Sequence, residues 1–266
     1  MTNSSDSASA MASKSAVHPG IIAYLGVAGA VILLMMLLGL LMLLSYGDVL
    51  VLPPDLLYQV LTVHGIGMVG IAGLAGSAIL WFFLSRYVRL FSAMLWINLV
   101  LFLAGVVMIL GAVFIGGYAS AWTFLYPLPA NSGGAWEHGA AAVYVTGVLL
   151  VGVGFLLFFI ETGRAILAEY GSLGKALGWG HLFGNAAGDP PPPTVVAATM
   201  VTVLNILAVT CGAVILVITL VNMFIPSFAI SALLAKNMIY FFGHTFINAT
   251  IYMAVIAVYE ILPLYA

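Results

Sequence analysis

Residues Gly20–Tyr46 read GIIAYLGVAGAVILLMMLLGLLMLLSY, a run without one charged side chain. As a helix rising 1.5 Å per residue it would reach about 40 Å, beyond the ~30 Å hydrocarbon core of a bilayer. Lipid demands an apolar circumference of that length, whereas a soluble domain has a polar face to offer water. The rest of the chain has the same character: of 266 residues, 64% are hydrophobic and 5% charged, and the mean hydropathy is +1.24. These values exclude a soluble globule and define an all-α, polytopic integral membrane helix bundle. A net charge of −2 and the lack of any basic run exclude nucleic acid as a partner. The single cysteine, Cys211, excludes a disulfide within the chain and reads as a small residue of an apolar interior.

The few charges act as punctuation, because each belongs at the end of a span rather than inside one. They divide the chain into six spans, approximately Gly20–Tyr46, Leu56–Ser85, Leu90–Tyr118, Trp136–Ala168, Val195–Phe224 and Phe228–Leu262. Several exceed the ~20 residues a crossing requires, which predicts tilt. Between them lie turn-rich connections: Asp48–Asp55 with Pro53 and Pro54, the YPLPANSGG segment from Tyr126, and a polar segment with Asp189 and Pro190–Pro193. Residues 20–266 thus form one membrane domain. Residues 1–19, rich in Ser and Ala, are expected to be a disordered cytoplasmic tail and lack the pattern of a signal peptide. With the amino terminus in the cytoplasm, Lys14, Arg86, Arg89, Arg164 and Lys175 fall on that side and only Lys236 falls outside, as the positive-inside rule requires. Both termini are then cytoplasmic, and the expected location is the cell membrane.

Of the five histidines, His18 and His181 read as solvated, and His138 reads as an interfacial residue beside Trp136 and Glu137. His64 and His244 differ, since each lies inside an apolar span. Counted from Asp55 and Lys236, both sit roughly 12–14 Å below the outer boundary. Two imidazoles at one depth favour a shared site over a pair of incidental helix-bridging hydrogen bonds. After His64, the glycines Gly67, Gly70, Gly73 and Gly76 form a stripe down one side of the second span. Such a stripe serves close helix packing, or else a bed for a flat macrocycle whose iron His64 reaches from the side. In the second case the other ring nitrogen needs a hydrogen-bond partner.

Three stretches carry a resemblance: YQVLTVHGIGM around His64, FLYPLPANSGGAWEHG before the fourth span, and IYFFGHTFINATIYMAVIAVYEILP in the sixth. They resemble subunit I of the haem-copper oxidase superfamily, most nearly the B-type terminal oxidases, with relatives among the nitric oxide reductases. The resemblance runs through the whole chain in span order. It implies that His64 is an axial ligand of a low-spin haem and that His244 is a ligand of the copper called CuB, beside a high-spin haem. The family's subunit has about twelve helices, so the chain is expected to be half of one, a split subunit. A second membrane chain would then supply helices VII to XII with the remaining histidine ligands. A subunit II and an external electron donor are the further partners implied.

One departure from the resemblance bears on chemistry. A- and B-type oxidases place a tyrosine one turn after the copper-binding histidine, where it can give an electron and a proton as the O–O bond breaks; here that position is Asn248. Asparagine can hydrogen-bond a ligand or order water but forms no phenoxyl-type radical. Nitric oxide reductases dispense with the tyrosine, because coupling NO needs no O–O cleavage. Tyr252 and Tyr259 lie deeper and are expected to pack, or to line a proton route with Glu260. Asn98, Asn205, Thr202 and Thr210 read as helix-bridging hydrogen-bond groups, and Glu161 as interfacial. No phosphate-binding glycine loop, nucleophile-base pair or two-histidine zinc spacing occurs. The chemistry expected is redox: a terminal oxidase reducing O₂ to water, with a nitric oxide reductase or a non-catalytic membrane scaffold as alternatives.

Overall fold

A computed structural model describes residues 17–265. The tail expected over residues 1–19 lies outside the described residues except at its end, where Pro19 already opens the first helix. The chain forms α1 (Pro19–Tyr46), α2 (Pro54–Leu84), α3 (Ala93–Leu110), α4 (His138–Tyr170), α5 (Leu173–Ala176), α6 (Trp179–Leu182), α7 (Pro193–Phe224) and α8 (Ala232–Ile261). Among the described residues, α1, α2, α3, α4, α7 and α8 are long and apolar enough to cross a membrane, and no strand occurs. The six expected spans are therefore present, and α5 and α6 are short turns within the polar segment between the fourth and fifth.

Local chemistry moves the ends of the spans. Pro19, Pro54 and Pro193 stand in the first turns of α1, α2 and α7, where the missing N–H costs nothing, so each starts earlier than hydropathy alone suggests. The last helix starts later than Phe228, after Ser231, whose hydroxyl accepts the Leu234 N–H. Gly171 takes the left-handed conformation that closes α4, at φ +75°. At Gly111 the third span changes to a π-helical turn that ends at Ile115, short of the expected Tyr118.

The six long helices form a ring in the order α1, α2, α8, α7, α4, α3, closed by a slight contact of α3 with α1. The ring surrounds an apolar cavity of about 170 Å³, walled by every long helix through residues such as Met35, Gly70, Phe102, Phe155, Gly212 and Phe246. The glycine stripe of α2 faces this interior. A Cβ on Gly67 would collide with Met35 of α1; on Gly73 it would lie 2.8 Å from the Phe246 ring and 2.9 Å from that of Phe155, and on Gly76 2.9 Å from Met253. The stripe thus serves close helix packing at Gly67, Gly73 and Gly76, while Gly67 and Gly70 also wall the cavity.

Polar side chains tie the ring at the end carrying Arg86, Arg89 and Arg164, here called the basic end. Glu161, expected to be interfacial, is instead buried: its carboxylate accepts two bonds of 2.6 Å from Arg164 and one of 2.8 Å from the Phe91 N–H. The Arg164 guanidinium also stacks on the Phe91 ring at 4.2 Å. Glu260 of α8 accepts from Arg86 at 3.2 Å, from the Tyr87 hydroxyl at 2.8 Å and from the Thr194 hydroxyl, so one carboxylate joins α8 to the end of α2 and the start of α7. Burial, and then the bond to Glu260, hold the Tyr87 phenol above its ordinary range. Farther in, the Asn98 amide donates to the Tyr24 hydroxyl at 2.9 Å and bridges α3 to α1 as expected. Thr202 and Asn205 are buried without a hydrogen-bond partner for their unpaired atoms among the described residues, and Thr210 is exposed, so none of these three bridges helices.

Candidate cofactor-binding face

His64 sits at the border of α2 and α1, half-buried. Its Nδ1 lies 2.9 Å from the carbonyl oxygen of Met35. That carbonyl can only accept, so Nδ1 carries the proton and Nε2 keeps its lone pair. The approach depends on Gly39 in α1, where a Cβ would lie 2.9 Å from the His64 Cε1. His244 has the same arrangement within its own helix: Nδ1 lies 3.1 Å from the Tyr240 carbonyl, and the ring stacks on that of Tyr240 at 5.3 Å and 18°. Its Nε2 is free as well.

A tryptophan from the connection between α3 and α4 lies next to both histidine segments. Trp122 enters between α2 and α8. A Cβ on Gly65 would collide with its indole, and one on Gly243 would stand 3.8 Å from the far edge of the same ring. The residue after His64 and the residue before His244 thus meet opposite edges of one side chain. The connection holds its shape because the Ala121 N–H donates to Thr62 of α2 at 2.9 Å, and Thr62 donates back to the Tyr58 carbonyl at 2.7 Å. Ala121 itself is left-handed at φ +67°, a strained position for a residue with a Cβ, and it is this turn that aims the indole inward. Behind it, Tyr118 stacks on Tyr144 at 4.2 Å and meets Trp136 edge-on at 5.1 Å.

His244 and Asn248 are exposed, one turn apart on one side of α8. Tyr240, Tyr252 and Tyr259 share that side and are 48%, 46% and 47% exposed, so the two deeper tyrosines do not pack within this chain, and Glu260 is engaged elsewhere. With α1, α8 is the least covered of the long helices. Histidine, asparagine and tyrosine facing hydrocarbon are unfavourable, so this side of α8 differs from the apolar outside of the other long helices. No three metal-ligating side chains of the histidine, cysteine or acidic types come together among the described residues. The face offers single ligands, not a complete centre.

The model of the family described as Cytochrome C and Quinol oxidase polypeptide I matches residues 20–266. The chain belongs to this family. No curated protein and no solved structure matches it. Membership makes this an oxidase subunit of the respiratory membrane type, in a family that holds haem and copper. The residues present fit such groups, because each histidine has one nitrogen fixed on a backbone carbonyl and the other available, the usual arrangement of a metal-ligating imidazole. Sequence reasoning singled out His64 and His244 but missed Met35, Gly39 and Trp122 beside them. The only local signal for the last was a glycine next to each histidine.

Proposed function

We propose that the chain is the amino-terminal half of the catalytic subunit I of a respiratory haem-copper terminal oxidase, reducing O₂ to water with electrons from an external donor. The observation that supports this most is that the glycines beside His64 and His244 meet one indole, that of Trp122, while each imidazole has its Nδ1 on a backbone carbonyl. His64 is read as the axial ligand of the low-spin haem and His244 as a ligand of CuB, close to the high-spin haem. Bound there, these groups supply electron transfer and O₂ reduction. The chain's own side chains prepare the place. Met35 fixes the tautomer of His64, Gly39 admits its ring, and Trp122 sets the spacing of α2 and α8. Asn248 offers both a donor and an acceptor one turn from His244. The remaining ligands come from helices VII to XII, carried by a second membrane chain that covers the open side of α8, with a subunit II as a further partner. The location is the cell membrane, with both termini cytoplasmic.

Asn248 favours a second reading, a nitric oxide reductase of the same superfamily, since a side chain unable to form a radical suffices where no O–O bond is cleaved. Purification with co-migrating membrane chains, followed by an optical haem spectrum and metal analysis, tests the shared part. Low-spin haem and copper are expected, and a colourless, copper-free complex would return the chain to a scaffold role. The His64→Ala variant should lose the low-spin signal selectively; its persistence would remove His64 from that role. Turnover of O₂ against NO on one preparation separates the two reactions.

A further inference from the structure

In a membrane helix a threonine hydroxyl is ordinarily satisfied by the carbonyl one turn back. Thr62, Thr146, Thr162, Thr199 and Thr219 all do this, at 2.7–2.9 Å. Thr202 does not: its side chain is 2% exposed, yet its Oγ1 has no partner among the described residues. One turn on, along the same side of α7, the fully buried Asn205 leaves both Oδ1 and Nδ2 unpartnered. The fully buried Ser77 of α2 adds an unpartnered Oγ.

Contacts between helices place these groups at one level. Gly212 against Phe242 and Thr194 against Glu260 set the register of α7 on α8. Gly73 against Phe246 and Tyr87 against Glu260 set that of α2 on α8. Both registers put Ser77, Thr202 and Asn205 beside Ala249–Met253, about 8–14 Å from His244 toward the basic end. Buried polar atoms left without any partner are costly, far more so than a hydrogen bond is stabilising. A buried water making about three hydrogen bonds is the normal remedy, and an amide with two hydroxyls provides both donors and acceptors for it.

We propose that Ser77, Thr202 and Asn205 hold ordered water, an internal hydration site between α2, α7 and α8. It lies on the buried side of α7, between Thr194, which holds Glu260, and Val209 and Gly212 in the wall of the apolar cavity. The site is therefore a wet level between the Glu260 clasp and the dry cavity, and its existence does not depend on the redox reading. An experimental structure of the purified membrane protein, detailed enough to show solvent, should place density within hydrogen-bond distance of the Asn205 amide and the Thr202 hydroxyl. Asn205 paired with protein atoms, without solvent density at this level, would overturn the proposal. Infrared spectra of films equilibrated with ordinary and oxygen-18 water give a second readout. Wild-type protein should show isotope-sensitive O–H bands of internal water that a Thr202→Val, Asn205→Leu double variant loses, and equal bands in both would count against the site. Should the double variant not assemble, Thr202→Val alone, close to isosteric, decides: a weakened band supports the site and an unchanged one refutes it.

Discussion

Single atoms decide the environment of each histidine. Gly39 has no side chain because the His64 ring occupies that place, 2.9 Å from where a Cβ would stand. A Gly39→Val substitution should therefore displace the imidazole and destabilise the protein by about 1–3 kcal/mol, the ordinary cost of overpacking. Thermal unfolding would show the loss, and the optical spectrum of the purified complex should change at the low-spin haem although Gly39 is not itself a ligand. At Gly65 the same logic involves a pair. Gly65→Ala collides with Trp122, so the variant should be destabilised, and adding Trp122→Leu should recover part of the loss. Such non-additivity is the signature of direct contact, and strictly additive thermal shifts would show that the two do not press on each other.

At the scale of elements, the basic end is held by two carboxylates of different burial and reach. Glu260 ties three helices, and its hydroxyl partners Tyr87 and Thr194 matter more than Arg86, which is half exposed and screened. Glu260→Ala should cost about 1–3 kcal/mol of stability, Glu260→Gln less, and Arg86→Gln under about 1 kcal/mol. Measured unfolding midpoints in the reverse order would show that the ion pair dominates the clasp. The crossing of α3 and α4 relies on backbone contact instead. A Cβ on Gly105 would strike the Gly147 carbonyl, and one on Gly147 would come 2.8 Å from the Gly105 carbonyl. Gly147→Val should force these helices apart and lower the yield of folded protein more than the same change at Gly152, which has open space around it.

Across the whole molecule, the ring is closed around a dry cavity while one side of α8 presents histidine, asparagine and tyrosine outward. A photo-crosslinking residue at Asn248 should capture a second membrane protein chain, whereas one at Ile160, exposed on the apolar outside of α4, should capture lipid only. Lipid at both positions would remove the covering chain. The six spans were legible in the sequence because apolar transfer free energy accumulates along a run and needs no knowledge of neighbours. That His64 and His244 lie inside spans and not at their ends was legible too, since rise per residue is fixed once the ends of the spans are known. Which way a side chain faces is another matter. Rotation of a helix about its own axis is set by what packs on it, so the contacts of the glycine stripe with Met35, Phe155, Phe246 and Met253 could not be read from the stripe itself. The burial of Glu161, the triple grip on Glu260 and the entry of Trp122 depend on partners far away in the chain, such as Thr62 for Ala121. The sequence by itself determined the solvent, the spans and the presence of an imidazole inside the second and the sixth. Only the tertiary structure decided the neighbours of each imidazole, because those follow from contacts between helices and not from composition along one.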